Sequence, residues 1–325
     1  MHFTDRVYGD IIIDDPCAVA IIESPAFDRL WRVNQYGPMV LLDAKWSTSR
    51  AEHCIGVYRL LQLLGASREE CLAGLVHDAN HLAFSHLVDW LIGDSATQEG
   101  HGAFVANPHL ASLKDIFDAH ELDGAAIMDT KRFTLLEQDA PAMCADRVDY
   151  TLRDGITSDQ CSKEECATFI EKLANHHGVM ALTDVGAAEW LSRLSVDMHI
   201  VREGLGQNGF YAHFGAMLKA LLSSGKLTRE DFLVDDNHVM AIIRAQTDDV
   251  TMQTLAWVAA GAPVEPCTAD IADYTTNAKL RVIDPHVVVD GSLCTASSLR
   301  PGLARLLKEY TLLRKNTFYI RITKV

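Results

Sequence analysis

The feature that most constrains the fold is a helical repeat of apolar residues through two consecutive segments. The segment SRAEHCIGVYRLLQLLG starts with Ser49 and Glu52 in the spacing of a capping box and ends at Gly65. The next segment, SREECLAGLVHDANHL, starts with Ser67 and Glu70 in the same spacing. Apolar residues recur every three to four positions in both segments, so the pattern predicts two adjacent helices.

A third helix is predicted in DAPAMCADRVDYTLRDG, with Asp139 as its N-cap and Gly155 as its end. Within it, Asp146, Tyr150 and Asp154 occupy every fourth position. Residues at this spacing lie one above another on a helix. These three side chains are therefore expected to share one face.

Titratable side chains on the three helices form a candidate metal site. His53 falls in the first turn of the first helix, the pair His77 and Asp78 on the second, and Asp146 on the third. Two imidazoles and two carboxylates suit iron, manganese, nickel or zinc, with magnesium as a further alternative. The core of a helical bundle is a place where such ligands can meet, with positions left open for water and substrate.

Composition excludes several classes of function. The 325 residues include 29 Lys and Arg against 44 Asp and Glu, a formal charge of −15. This charge repels a phosphodiester backbone, so a nucleic-acid polymer is not expected as a partner. The sequence shows neither a signal-peptide pattern at its start nor an apolar run of about 20 residues, so we expect a cytoplasmic protein without a membrane segment. The eight cysteines contain no Cys-x-x-Cys pair and need no disulfide framework.

Beyond residue 156 the pattern stays mostly helical, most clearly in GAAEWLSRLSVDMHIVREGL and in DDNHVMAIIRAQTDDVTMQTLAWVAAG. The end of the chain changes character. The segments KLRVIDPHVVVDG and NTFYIRITKV are rich in β-branched and aromatic residues, and we expect them to pair as a small sheet. The sequence therefore predicts a mainly α fold with a small terminal β-sheet.

The ordered segments SRAEHCIGV, LVHDANHLAFSHLVD and CADRVDYTLRD resemble the signatures of the HD-domain metal-dependent phosphohydrolases. The ligands of that family are a first His, a paired His-Asp and a distant Asp, which match His53, His77, Asp78 and Asp146. Within the family, the likeness is strongest to the deoxynucleoside triphosphate triphosphohydrolases. It covers roughly residues 27–156 and implies an HD-domain helical bundle with a helical C-terminal extension.

The resemblance also implies a set of substrate contacts. The segment RLWRVNQYG resembles the part of those enzymes that contacts the sugar. The residues expected to bind substrate are Gln35, Tyr36, Arg50, Arg147, Tyr150 and Asp154. For the two arginines and Tyr150, the alternative is that they only brace helix ends, although an arginine presents a fork of donors that suits phosphate.

Three further histidines are candidates for proton transfer. His81 and His86 either face the phosphate or support the metal ligands, or they simply pack between helices. His101 is the candidate general acid. It is followed by Gly102, where the resembling enzymes carry a Glu after their catalytic His.

These observations predict a metal-dependent phosphohydrolase acting on a nucleotide or a related small phosphate ester, with deoxynucleoside triphosphates among the candidate substrates. A di-iron oxygenase of the HD type and a non-catalytic nucleotide-binding sensor are the alternatives. Homo-oligomerisation stays open. The expected organisation is an N-terminal extension over 1–26, an HD metal-binding core over 27–156, and a helical C-terminal region with a small β element over 157–325.

Overall fold

The computed structural model describes residues 1–92, 104–202, 204–276, 280, 282–314 and 317–323. Helices dominate this part of the chain, which confirms the prediction of a mainly α fold. The α-helices described are α1 (Pro16–Ile22), α2 (Pro25–Asp28), α3 (Arg50–Leu63), α4 (Arg68–Val76), α5 (Leu87–Ile92), α6 (His109–Ala119), α7 (Gly124–Met128), α8 (Ala145–Thr157), α9 (Lys163–Ile170), α10 (Val185–Arg202), α11 (Leu205–Ser223), α12 (Asp236–Arg244), α13 (Asp249–Ala259), α14 (Ala296–Leu299) and α15 (Pro301–Arg314). Short 3-10 helices cover Arg29–Arg32, Gly37–Leu41, Ala44–Trp46, Thr130–Arg132 and Glu230–Leu233. None of the helices in these ranges combines the length and apolar character that crossing a bilayer requires.

The strands described form three small sheets. They are β1 (His2–Asp5), β2 (Gly9–Ile12), β3 (Leu173–His176), β4 (Val179–Leu182), β5 (Val264–Pro266), β6 (Tyr274–Thr276), β7 (His286–Val289), β8 (Ser292–Thr295) and β9 (Phe318–Ile322). Strands β1 and β2 make a hairpin, and the other sheets have the orders β3-β4-β7-β8 and β5-β9-β6. All pairs are antiparallel except β4 with β7.

The expected pairing of the two C-terminal segments is wrong, because β7 and β9 lie in different sheets. Strand β7 pairs with β4 and β8, whereas β9 lies between β5 and β6. Strand propensity marks both segments as extended, but it does not specify the partner of a strand. Here the partners of β9 come from the chain between α13 and β7.

The first two predicted helices are confirmed, and each is capped by a serine. Ser49 Oγ accepts a hydrogen bond from the backbone N–H of Glu52, at 3.1 Å, and Ser67 Oγ accepts one from the N–H of Glu70, also at 3.1 Å. Gly65 follows α3 with a φ of +66°, a conformation that favours glycine after a helix end. The two glutamate side chains do not close the capping boxes, because each binds a distant group.

Two predicted boundaries need correction. Helix α4 ends at Val76, so His77 and Asp78 follow the helix instead of lying within it. The N-cap of the third helix is Cys144, not Asp139, and Gly155 lies inside the helix. A Cβ at Gly155 would approach Cys161 Sγ to 2.6 Å, so this glycine allows close packing and does not end the helix.

The buried apolar residues described form two cores. The first is built mainly by α1, α3, α4, α8 and α10, and the second by α5, α11, α12 and α13. The segment after α4 connects them, since Ala79 belongs to the first core and Leu82 to the second. The predicted metal and substrate residues from His77 to His86 therefore lie at the junction between the cores.

Candidate metal centre and cavity

Three of the four predicted ligands bring their donor atoms together. His53 on α3 and His77 after α4 place their Nε2 atoms 3.3 Å apart. Asp146, in the first turn of α8, has Oδ1 at 3.0 Å from His53 Nε2 and at 3.6 Å from His77 Nε2. The three donor atoms all lie within 4.8 Å of one another. The fourth, Asp78, is adjacent, with Oδ1 at 3.6 Å from His77 Nε2 and Oδ2 at 3.8 Å from His53 Nε2.

Each of the two imidazoles is oriented by a hydrogen bond at Nδ1, the ring nitrogen that faces away from the centre. His53 Nδ1 lies 2.6 Å from Asp149 Oδ2, and His77 Nδ1 lies 2.8 Å from the carbonyl oxygen of Gly74. Both partners accept hydrogen bonds, so each ring donates through Nδ1 and directs Nε2 to the centre. Ligating histidines in metalloproteins are held in the same way.

The electrostatics of the cluster also fit a cation. Burial disfavours charge on His53, yet the carboxylates of Asp146 and Asp149 raise its pKa. Burial opposes charge on His77 as well, but Asp78 and other neighbours raise its pKa well above the ordinary value. Imidazoles that attract protons this strongly sit in a surplus of negative charge, and a divalent metal ion satisfies that surplus. The donor set of two nitrogens and carboxylate oxygens suits the metals predicted from the sequence.

A second group of ligand-type atoms shares Asp146. Glu137 and Cys144 offer atoms that lie, with one from Asp146, within 4.8 Å of one another. Burial raises the pKa of the Cys144 thiol to about 12, which disfavours the thiolate that a metal would need. The group around His53 and His77 is therefore the better metal centre.

Arg50 connects the centre to the chain around Ser85. Its guanidinium donates through Nη1 to Asp78 Oδ2 and through Nε to Ser85 Oγ, the latter at 3.0 Å. Both Arg50 and Asp78 are buried, so this ion pair is shielded from solvent. Arg50 also lines the cavity described below, which places it beside both the ligands and any bound substrate.

His81 and His86 lie next to the ligands. His81 Nε2 is 3.1 Å from Asp78 Oδ1, and the rings of His81 and His86 meet edge to face with centroids 4.9 Å apart. Burial, followed by the positive charge of Arg50, lowers the pKa of His81 to about 4, so this imidazole is neutral at pH 7. His86 Nδ1 lies 3.2 Å from a carboxylate oxygen of Asp89. The third candidate, His101, lies outside the described residues.

A cavity of about 410 Å³ opens onto the centre. Its volume is in the range of small-molecule sites. The predicted site residues that line it are Gln35, Tyr36, Arg50, His77, Asp78, His81, His86, Asp146, Arg147, Tyr150 and Asp154. Another part of the lining is uncharged and comes from α11 and β6. We call Gln207, Asn208, Tyr211 and Thr276 the α11 wall.

Tyr36, one of the two residues expected to contact a sugar, is held by Asp154, which also contacts Arg202. The Tyr36 hydroxyl donates to Asp154 Oδ1, and Arg202 Nη1 lies 3.1 Å from Asp154 Oδ2. The Arg202 guanidinium also stacks on the Tyr150 ring, 4.5 Å from its centroid. Asp154 is only 1% exposed, so its carboxylate orders neighbouring side chains and presents little surface to the cavity.

Arg147 is committed mainly to backbone. It donates to the carbonyl oxygens of Ala142 and Gln138, at 2.6 and 3.0 Å. These bonds hold the loop that precedes α8 against the helix. Arg147 therefore braces the start of α8 and also lines the cavity, while phosphate binding by this residue stays a prediction.

Asp236, at the start of α12, fixes two segments of the cavity from outside it. Its carboxylate accepts from the backbone N–H of Phe84, at 2.7 Å, and of Asn34, at 2.9 Å. Phe84 and Ser85 have left-handed φ angles of 62° and 49°, which cost energy in residues other than glycine. Burial raises the pKa of Asp236 to about 7.

Several of these residues escape sequence reasoning. Asp149 stands inside the quoted motif, but only the structure shows that it binds His53. Glu137, Arg202, Asp236 and the α11 wall belong to no recognised motif. The sequence carries one weak signal for a close neighbour such as Asp149, which is the glycine at position 56, where no turn of the chain requires one. A Cβ at Gly56 would approach Asp149 Oδ1 to 2.2 Å.

Comparison with known proteins gives relatives along the whole chain. No known family profile matches the sequence. The uncharacterized protein YdhJ of Bacillus subtilis is 31% identical over 328 residues, covering 100% of both chains. The metal-dependent phosphohydrolase cns2 of Cordyceps militaris is 28% identical over 198 residues, 58% of this chain and 56% of its own.

Two further similarities concern the core and the fold. The deoxynucleoside triphosphate triphosphohydrolase SAMHD1 of Gallus gallus is 35% identical over 102 residues, 27% of this chain and 16% of its own. The crystal structure of a phosphohydrolase from Bacteroides thetaiotaomicron superposes with a TM-score of 0.72 at 16% identity, covering 100% of both chains. At that identity the superposition shows a shared fold.

Proposed function

We propose that this chain, which belongs to the HD-type metal-dependent phosphohydrolases, hydrolyses the phosphate ester or anhydride of a nucleotide. Family membership makes the protein a hydrolase that uses a divalent metal and acts on a phosphorylated small molecule. The nucleotide, the site residues and their roles are the proposed part. Residues His53, His77, Asp78 and Asp146 would hold the metal.

The observation that carries the proposal is that the cavity places the ligand cluster and an uncharged wall around one space. His77, Asp78 and Asp146 line the same 410 Å³ cavity as Gln207, Asn208 and the other α11-wall residues. A substrate that spans both regions needs a charged phosphoryl end and an uncharged organic end. A nucleotide has both.

The chemistry of each region supports this division. When bound, a divalent cation polarises the phosphoryl group and lowers the pKa of water. Arg50 lies beside the ligands and can donate to a phosphate oxygen, and the guanidinium geometry suits that contact.

The other lining residues suit a base and a sugar. The amides of Gln207 and Asn208 can donate and accept at the edge of a base. Trp90 and Tyr211 supply aromatic rings, 6.5 Å apart between centroids, against which a planar group can pack.

The choice among nucleotides rests on similarity. The matched 102-residue stretch of the deoxynucleoside triphosphate triphosphohydrolase supports deoxynucleoside triphosphates as the first substrates to test. Gln35 and Tyr36 are the proposed sugar contacts. A side chain packed against the 2′ carbon would reject a hydroxyl there and favour deoxy sugars.

His101 stays our proposed general acid. His81, with its pKa lowered to about 4, is neutral at pH 7 and can therefore accept a hydrogen bond from the nucleophile or from a substrate. His86 is proposed to face the phosphate. A general acid typically contributes a factor of about 10²–10⁴ in rate, so a His101→Ala variant should lose turnover by roughly that factor while keeping its metal.

The decisive experiment is metal analysis of the purified protein, followed by turnover of a panel of nucleoside mono-, di- and triphosphates in ribo and deoxy forms. Phosphorus NMR identifies the released product. Release of phosphate, pyrophosphate or triphosphate from any member supports the proposal. Bound iron with oxygen consumption and no phosphate release would select the oxygenase alternative, and nucleotide binding without turnover would select the sensor.

A further inference from the structure

We propose that the N-terminal hairpin β1–β2 sets the affinity of the metal centre, through a buried relay that runs from Asp5 to Arg153, Asp149 and His53. Asp5 is the positioning residue at its outer end. The inference rests on the proposed metal centre but does not depend on which substrate the enzyme takes. It gives a role to residues 1–26, which the sequence leaves as an extension.

The relay consists of consecutive short contacts. Asp5 Oδ2 lies 2.8 Å from Arg153 Nη2. Arg153 then contacts both oxygens of Asp149, through Nε at 2.7 Å and Nη2 at 3.1 Å. Asp149 Oδ2 in turn lies 2.6 Å from His53 Nδ1. Arg153, Asp149 and His53 are fully buried, and Asp5 is 5% exposed, so solvent screens these charges little.

The hairpin turn holds Asp5 in place. Asp5 Oδ1 accepts from the backbone N–H groups of Val7 and Tyr8, at 2.7 and 2.9 Å, which leaves Oδ2 for Arg153. Gly9 closes the turn with a φ of +68° and pairs with Asp5 in the strand register. Contacts within the hairpin turn therefore position the Asp5 carboxylate independently of its contact with Arg153.

Helix α3 is shaped to admit the relay. A Cβ at Gly56 would lie 1.9 Å from Arg153 Nη2 and 2.2 Å from Asp149 Oδ1. Glu52, one turn earlier on α3, lies 3.0 Å from Arg153 Nη1. The Arg153 guanidinium is thus surrounded by three carboxylates, those of Asp5, Glu52 and Asp149.

The sign of the effect follows from this charge arrangement. Asp149 increases the basicity of His53 by accepting its Nδ1 proton, and a more basic imidazole binds a metal more strongly. Arg153 opposes this effect, because its positive charge pairs with the Asp149 carboxylate and makes that carboxylate less basic. Asp5 and Glu52 also pair with Arg153. They offset part of its positive charge, so the Asp149 carboxylate stays more basic than it would be beside Arg153 alone. Neutralising Asp5 should therefore weaken metal binding, both through His53 and through the lost negative charge.

The test compares Asp5→Asn with Asp10→Asn in the full chain. Both variants remove one carboxylate charge from the same hairpin, but Asp10 is solvent-exposed and does not contact the relay. We expect the dissociation constant for Mn²⁺, measured by calorimetric titration of the chelator-treated protein, to rise about 3- to 10-fold in Asp5→Asn and to stay unchanged in Asp10→Asn. Replacing a group that directly supports a ligand typically costs about 10–100-fold, and Asp5 lies two contacts further out.

A double-mutant cycle separates a relay from general destabilisation. In an Asp149→Asn background, Asp5→Asn should change Mn²⁺ affinity by less than about twofold, because its route to His53 is gone and only the direct effect of its distant charge remains. Glu52→Gln, which removes another carboxylate from Arg153, provides a second variant should Asp5→Asn not fold, and should weaken binding in the same direction. Unchanged Mn²⁺ affinity in a folded Asp5→Asn, or equal losses with and without Asp149, would overturn the relay. Absence of Mn²⁺ binding by the native chain would instead overturn the proposed metal centre.

Discussion

The proposed metal centre and the α11 wall border one cavity, but their side chains are held in different ways. At the metal centre every charged group described meets another charge, as His53 meets Asp149 and Asp78 meets Arg50. On the α11 wall the groups are neutral. There, Asn208 Nδ2 donates to the carbonyl oxygen of Gly204 at 3.1 Å, and Thr276 Oγ1 lies 3.3 Å from Asn208 Oδ1.

This difference has energetic consequences. A buried charge that loses its partner typically costs about 3–5 kcal/mol, so changes at the metal centre should have large, all-or-none effects. A neutral hydrogen bond contributes about 0.5–1.5 kcal/mol, so changes on the α11 wall should tune preference among substrates.

The largest effect is expected for His53→Ala. The variant removes a proposed direct ligand from a site with few, so bound metal and hydrolysis should both fall to background. Elemental analysis and phosphate release measure the two losses. The matched control is His2→Ala, whose side chain is 61% exposed on the hairpin. Full metal occupancy in the His53 variant would contradict the ligand assignment.

A steric change should destabilise the packing around Arg153 and Asp149 without altering a proposed metal ligand. Gly56→Ala would drive a Cβ into Arg153 and Asp149, so we expect unfolding free energy to fall by about 2–4 kcal/mol. Gly206 on α11 has no neighbouring atom within 4 Å of such a Cβ, so Gly206→Ala should be neutral or slightly stabilising. Urea unfolding measures both, and equal values for the two variants would show that α3 is not tightly packed at Gly56.

Asp236 should give stability a pH dependence. Its pKa is raised to about 7 by burial, against an ordinary value of 3.8, with Asp235 also raising it and Arg29 lowering it. The folded state therefore holds a proton that the unfolded state releases, and this group's contribution to stability falls as pH rises from about 4 to 7. Between pH 5 and pH 7, the unfolding free energy of Asp236→Asn should rise by about 2 kcal/mol relative to that of the native chain.

Urea unfolding at several pH values checks this difference. Asp249→Asn is the matched control, because Asp249 holds the same position in the first turn of α13 and is exposed. A parallel pH dependence for the native chain and Asp236→Asn would show that the carboxyl is already ionised at pH 5.

The smallest effect is expected on the α11 wall. Gln207→Leu keeps the size of the side chain but removes its hydrogen bonds, so the ratio of kcat/KM for a nucleotide to that for nitrophenyl phosphate should fall about tenfold, the equivalent of one lost bond. Gln253→Leu, at an exposed position of α13, is the control. A ratio that does not move would place the base elsewhere in the cavity.

The starts and the buried faces of the helices that carry the site can be predicted, because their signals are local in the sequence. Ser49 and Ser67 mark the starts of α3 and α4, and the apolar period marks their buried faces. Helix α4 ends at Val76, before the predicted end, because the helical sequence pattern continues through His77 and Asp78 while the chain over 77–80 forms turns. The N-cap of α8 is predicted five residues too early, since Asp139 is a good cap by type but the observed cap is Cys144, after a loop that Arg147 holds.

Local patterns specify most of the helices and the candidate ligands, because capping, periodicity and the order of His and Asp residues act over a few positions. The groups that support those candidate ligands follow instead from how the helices pack. His53 and Asp149 are 96 residues apart, and Asn34 and Asp236 are 202 apart. Such contacts depend on how helices cross and how strands pair, as the separate sheets of β7 and β9 show. Buried charges must find partners wherever the fold brings them, and no local pattern specifies those partners in advance.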